Sequence, residues 1–409
     1  MPKLHRVVVT GLGAVTAIGT WPGALFEQVC AGSSGIRLLP EQTPMPPIPM
    51  AAWIESGIDS DPKTAAHDRA TQLALTAGRL ALEDAGLLED GVLRSKTGVY
   101  VGTGAGPSGT MDQTYRRLYA EQRDRVAPMT LPRGIHNAPA SELAIRYGLR
   151  DANNTYSIAC ASSATAIGEA MRAIRHGYSA RILAGGTESL LNYGVLHAWH
   201  ALRAHAVMAD PLSASCRPFS ADRDGLVMGE GSGFLVLESL DSAQARGATI
   251  WAELVGYGTS CDASHITHPD SSGQIAAIGM ALNEAGIPPA AIDYINAHGT
   301  GTLAGDTVEA ASLNAVFGAH MARIPVSSTK AVHGHLMGAG GAIELIISVL
   351  AMNQHIIPPT ANCRIPDATL GIDMVAEGAR PARMNAVMSN SFAFGGSNAV
   401  LIARRMQDQ

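Results

Sequence analysis

Cys160 stands where the short extended run NTYSIA passes into the small-residue segment CASSATAIGEAMRAIR, a pattern that predicts a strand-to-helix junction with a thiol at the turn. A helix N-terminus offers free N–H groups and a positive dipole end, which lower a thiol pKa and can hold a developing oxyanion. Read alone, the residue also fits a buried structural cysteine. His298 lies in NAHGTGTLAGD (296–306), at a strand end in a loop of glycine and threonine, with Asp306 placed to bond back to that loop. Lys330, His333 and His335 fall within six residues in SSTKAVHGHLMGAGGAIE (327–344), just before a helix. Glu344 is spaced to lie inside that helix, where a buried carboxylate needs a cation such as Lys330. In NSFAFGGSN (390–398) two phenylalanines precede Gly395 and Gly396, a backbone that must turn sharply or move. GLGAVTAIG (11–19) imitates a dinucleotide-binding fingerprint but lacks the third glycine and a downstream acidic residue, so no cofactor is expected there.

Several elements must position these residues. Residues 6–10 read as a buried strand ended by glycine, 69–85 as an amphipathic helix, and 97–106 as a strand running into glycines. A polar, arginine-rich stretch extending to about 135 reads as a surface helix. The unit 154–189, strand then Cys160 then small-residue helix then strand, resembles the unit 323–355. VVVTGLG (7–13) and AELVGYG (252–258) resemble each other as well. This is the pattern of a duplicated α/β module with its seam near 249, giving halves 1–249 and 250–409. Small residues at 161–168 and 338–342 would let two helices approach closely at the centre.

Composition narrows the class. The 409 residues are 46% hydrophobic and 16% charged, with a net charge of −6, which fits a large globular core and argues against nucleic-acid binding. Five scattered cysteines without a CxxC pair argue against a disulfide framework or a zinc site and for a reducing compartment. The start lacks the long apolar run and cleavage site of a signal peptide, and no run of eighteen apolar residues occurs, so the expectation is a cytoplasmic protein with no membrane span.

Together and in this order, the four segments resemble the β-ketoacyl-acyl carrier protein synthases of the thiolase superfamily, most like the synthase II type of dissociated fatty-acid and polyketide systems. RPFSADRDGLVMGEGSGFLVLE (217–238) and DASHITHP (262–269) extend the likeness along nearly the whole chain. The resemblance implies a five-layered αβαβα thiolase fold built from two duplicated halves, a homodimer or a heterodimer, and an acyl carrier protein delivering acyl and malonyl groups, with no metal or organic cofactor. It makes Cys160 the acylated nucleophile, and His298 and His335 the pair that hold the malonyl thioester carbonyl. It also implies that Lys330 and Glu344 are partners, that Phe394 gates the site and joins Cys160 in the oxyanion hole, and that Asp306 and Asn398 give support. Ala105, Trp199 and Met129 match segments bordering the acyl pocket. Arg116, Arg117, Arg123, Arg125 and Arg133, with Arg203, form a candidate docking patch for the carrier protein. Ile158, Ala393 and Ala105 depart from the family pattern, and the last two put the acyl range in question. A thiolase would need a second cysteine as base, and Cys363 lies in a plain loop segment, ANCRIPD. A non-elongating chain-length partner subunit, the alternative, usually lacks the nucleophile that this chain keeps.

Overall fold

A computed structural model describes residues 4–40 and 46–406. Eleven strands form the main sheet: β1 (Val7–Thr16), β2 (Gly98–Gly102), β3 (Asn153–Tyr156), β4 (Arg181–Glu188), β5 (Gly231–Ser239), β6 (Ala252–Cys261), β7 (Tyr294–Asn296), β8 (Pro325–Ser327), β9 (Asp373–Met374), β10 (Ala386–Phe392) and β11 (Ser397–Arg404). The helices that matter for the site are α1 (Arg69–Asp84), α2 (Ser108–Tyr115), α3 (Ala138–Tyr147), α4 (Ser162–Arg175), α5 (Tyr193–Leu202), α6 (Ser271–Ala285), α7 (Leu303–Phe317) and α8 (Gly340–Gln354).

The hydrogen-bonded order is β9-β8-β7-β10-β11-β6-β1-β5-β4-β2-β3. β1 meets β6 through three residue pairs, Val7–Leu254 to Val9–Ala252, and the topology repeats outward from that joint. On one side β1, β5 and β4 run antiparallel in turn, and β4, β2 and β3 are parallel. On the other side β6, β11 and β10 run antiparallel, and β10, β7 and β8 are parallel. The repeat extends to packing. A Cβ on Gly13 would lie 2.0 Å from the Ala77 carbonyl oxygen on α1, and one on Gly258 would lie 1.9 Å from that of Ala277 on α6. Gly11 and Gly256 face Ala81 and Ala281 in the same way. Both strands need glycine because a helix backbone sits directly against them.

Three hydrophobic cores hold five layers together. Leu73, Ala77 and Leu143 of α1 and α3 pack on Val101 and Phe234 of the first half-sheet. Ala164, Ile167, Ile343 and Ile347 of α4 and α8 lie in the central core with residues of both half-sheets. Ala277, Ile278 and Leu313 of α6 and α7 cover the outer face of the second half-sheet. The central helices approach closely, since a Cβ on Gly341 would come within 2.9 Å of the Ala164 methyl. The stretch Met337–Gln354 is long and apolar enough to cross a membrane, but 89% of it is buried inside this core.

Two sequence expectations change. The first strand does not end at glycine but continues through Gly11 and Gly13 to Thr16, because these glycines make room for α1. The arginine-rich stretch is not one helix. After α2 it passes through a π-helical turn at Arg116–Ala120, loses regular structure, and forms only the short helix Thr130–Gly134.

Candidate active site

The site gathers at the carboxyl ends of the parallel strands, where α/β sheets place their ligands. β3 leads to Cys160, β8 to Lys330 and His335, β7 to His298, and β10 to Phe394. β3 and β8 are equivalent strands of the two halves, so the nucleophile and one histidine occupy matching places. Each is followed by a central helix.

Cys160 sits in the tight turn Ala159–Ala161 ahead of α4. Ala159 has φ +42°, a left-handed conformation costly for a side-chain-bearing residue, and Met337 in the facing turn has φ +45°. The Cys160 sulfur lies 3.1 Å from His335 Nε2 and 3.9 Å from Met337 Sδ. The His298 and His335 rings meet edge to face with centroids 5.4 Å apart, and donor atoms of all three residues lie within 4.8 Å of one another. His335 is held by its backbone, its N–H donating to the Val227 carbonyl at 2.7 Å. His333 points away, its Nε2 2.9 Å from Thr329 Oγ1.

The electrostatics differ from the sequence expectation for the thiol. Cys160 is 5% exposed, and burial pushes its pKa up to about 12 despite the opposing pull of Lys330 and the Phe394 N–H directed at it. Burial is the largest influence on this thiol, and it acts against the lowering that a helix N-terminus would give. Burial and the nearby Lys330 charge hold His298 and His335 well below the usual imidazole range, so both rings are neutral. Neither Nδ1 has a hydrogen-bond partner among the described residues. An unpaired acceptor costs less than an unpaired buried N–H, which puts the proton on Nε2, facing the site.

Lys330 is fully buried and paired with Glu344 of α8. Asp306 accepts from the N–H groups of Phe219 (2.7 Å) and Gly301 (3.1 Å), tying the His298 loop to the 217–226 segment. Asn398 Nδ2 donates to Asp262 Oδ1 at 2.7 Å and to the Gly396 carbonyl at 3.2 Å, bracing the glycine turn. The Phe394 ring stacks on Trp199 of α5 at 5.7 Å and 24°. Trp199, Phe394 and Arg203 line a cavity of ≈ 420 Å³ that ends at Cys160, His298 and His335. Ala105 packs beside Cys160, Leu190 and Met337.

Met129 does not border the cavity. It is 48% exposed, in the surface turn that opens the short helix Thr130–Gly134. Of the six arginines, the structure brings Arg203 to the cavity. Arg123 instead pairs with Glu121 at 3.1 Å, and Arg116, Arg117, Arg125 and Arg133 belong to the same separate segment. Sequence reasoning missed two carboxylates. Glu309 accepts from the N–H groups of His298 (2.8 Å) and Gly299 (2.7 Å) and from Asn390 Nδ2 (3.1 Å), fixing the histidine loop. Its three-residue spacing from Asp306 puts both carboxylates on one face of α7, a signal the sequence carried. Glu188, at the end of the apolar run of β4, is the other.

Comparison with known proteins shows what the chain is similar to. The chain matches the family descriptions "Beta-ketoacyl synthase, N-terminal domain" over residues 4–243 and "Beta-ketoacyl synthase, C-terminal domain" over 251–364. It is 37% identical to a 3-oxoacyl-(acyl-carrier-protein) synthase 2 of Staphylococcus aureus, covering 100% of both chains. It is 39% identical to nodulation protein E of Rhizobium leguminosarum bv. trifolii, covering 98% of this chain and 100% of the relative. Among solved structures, the ishigamide ketosynthase/chain length factor superposes with a TM-score of 0.91 at 34% identity, covering 99% of this chain and 100% of that one.

Proposed function

Since the chain belongs to the β-ketoacyl synthase family, we propose that Cys160, His298 and His335 are its condensing centre, joining an acyl group to malonyl-acyl carrier protein with loss of carbon dioxide. The observation that carries the assignment is the convergence of one thiol and two neutral imidazoles at the end of a single cavity.

The reaction follows from that arrangement. The carrier's acyl thioester enters the cavity and Cys160 Sγ attacks its carbonyl. The Cys160 sulfur–carbon bond forms, the carrier sulfur–carbon bond breaks, and the thiol proton ends on the departing carrier sulfur. His335 Nε2–H, 3.1 Å away, steadies the sulfur as charge builds on it. Malonyl-carrier then binds with its thioester oxygen between the two Nε2–H donors. The bond to the carboxylate breaks, carbon dioxide leaves, and the electron pair becomes an enolate held by those donors. The enolate carbon attacks the acyl carbonyl, whose oxyanion rests on the Cys160 and Phe394 N–H groups. Collapse releases the Cys160 thiolate, which takes up a proton. No step needs a metal or organic cofactor. The retained nucleophile favours the elongating enzyme over a non-elongating chain-length partner.

Arg203 at the cavity is the docking cation we assign to the acidic carrier protein. The exposed apolar residues Tyr119, Met129, Leu131 and Ile135 are the face we assign to a second subunit. We place the boundary between the halves at 249/250, and the protein in the cytoplasm, where its five free cysteines fit a reducing milieu. Intact-mass spectrometry after incubation with acyl-carrier protein tests the centre: an acyl adduct forms on the parent and not on Cys160→Ala. A full adduct on the variant overturns the assignment.

A further inference from the structure

Glu188 is a fully buried carboxylate that the mechanism above does not use. Three other buried glutamates, Glu230, Glu238 and Glu344, each face an arginine or lysine, whereas Glu309 is held by neutral donors beside His298. Glu188 has no ion-pair partner among the described residues. It is held by neutral donors: the N–H groups of Gly104 (2.5 Å), Ala105 (3.2 Å) and Gly338 (3.0 Å) and the Thr103 hydroxyl (3.2 Å). Burial pushes its pKa up to about 7.

These donors belong to two different loops. Thr103–Ala105 follows β2 of the first half, and Gly338 lies in the turn between His335 and α8 of the second. The loops meet only because both contribute glycine. A Cβ on Gly338 would lie 2.4 Å from the Gly104 nitrogen and 2.6 Å from Glu188 Oε2, and a Cβ on Gly104 would lie 2.8 Å from the same oxygen. Above the carboxylate the two loops present Ala105 and Met337, which pack with Cys160 and Leu190 in one apolar cluster.

We propose that Glu188 is a positioning residue that sets the acyl-binding walls, by pinning the Ala105 loop to the Met337–Gly338 turn beside Cys160. The proposal rests on the ketosynthase reading. Neither Ala105 nor Met337 lines the cavity described above, but both pack against Cys160, so in this proposal an acyl chain on the sulfur extends between them, and the two loops that carry them are fastened to one side chain. The two malonyl donors have their own anchors, His298 through Glu309 and His335 through its N–H to the Val227 carbonyl. Disturbing Glu188 therefore acts on acyl-chain accommodation and spares malonyl binding.

Glu188→Gln tests this at nearly constant volume, because one oxygen becomes an NH2 group facing N–H donors. Full-length protein is loaded from short-chain and long-chain acyl-carrier protein, with Cys160 acylation followed by intact mass and KM measured for malonyl-carrier protein. The expected result is a long-to-short loading ratio changed about tenfold, the size of one lost hydrogen bond to a charged group, with malonyl KM within about twofold of the parent. Parental ratios in Glu188→Gln overturn the proposal and leave Glu188 a core-filling residue. A malonyl KM that shifts as much as the loading ratio also overturns it, since that is general distortion. If Glu188→Gln does not fold, Thr103→Val removes one donor instead and must change the ratio in the same direction; a parental ratio there overturns the proposal. A parent enzyme that loads no primer on Cys160 would sink the ketosynthase reading instead, so the two failures are distinguishable.

Discussion

Cys160 Sγ and His335 Nε2 lie 3.1 Å apart although the residues are separated by 175 positions, and each follows the equivalent parallel strand of its half, just ahead of a central helix. The duplicated fold thus brings two equivalent turns face to face and fills one with a nucleophile and the other with a hydrogen-bond donor.

That geometry separates the two histidines. His298→Ala keeps Cys160 acylation but lowers malonyl decarboxylation by roughly 100–1000-fold, the cost of one oxyanion donor. His335→Ala lowers both, because its Nε2 also reaches the sulfur. Carbon dioxide release and adduct formation, measured in parallel, read the two effects. Parental carbon dioxide release in both variants would make the rings structural.

The neutral state of the rings predicts a pH profile. An imidazole with an ordinary pKa charges as pH falls through about 6.5. Here burial and Lys330 keep His298 and His335 neutral well below that point. Malonyl decarboxylation by Cys160→Ala therefore shows no loss on acidification through 6.5. Removing Lys330 raises both imidazole pKa values and moves the acid limb upward, which a pH–rate series on Lys330→Met would reveal. An ordinary imidazole inflection in Cys160→Ala would contradict the picture.

Lys330 and Glu344 are both buried and paired. Lys330→Ala leaves a buried carboxylate uncompensated and costs about 3–5 kcal/mol in urea unfolding. Lys330→Met combined with Glu344→Leu recovers most of that loss. A single variant as stable as the parent would mean that the pair is solvated.

Trp199 stacks on Phe394, a contact worth about 0.5–1.5 kcal/mol. Trp199→Ala frees the phenylalanine turn, so iodoacetamide alkylates Cys160 several-fold faster while the fold stays intact. Unchanged alkylation would show that Trp199 only lines the cavity.

The sequence by itself determined what neighbouring residues decide. The alternation of strand and small-residue helix placed Cys160 at a junction, the helix at 69–85 formed with its end shifted by one residue, and the spacing of Lys330 to Glu344 identified an ion pair across a helix start. These follow from local periodicity and from the cost of an unpaired buried charge. Only the tertiary structure decided the rest. A helix N-terminus argues for a low thiol pKa at Cys160, but the packing that buries the thiol pushes it up instead. Met129 reads as a pocket residue and lies on the surface, while Glu188, unremarkable along the chain, and Glu309, marked only by its spacing from Asp306, collect backbone N–H groups from loops at the core. Burial and convergence depend on which strands become neighbours in the sheet, and the joint that brings the halves together pairs β1 with β5 and β6, more than two hundred positions away, which no local pattern encodes.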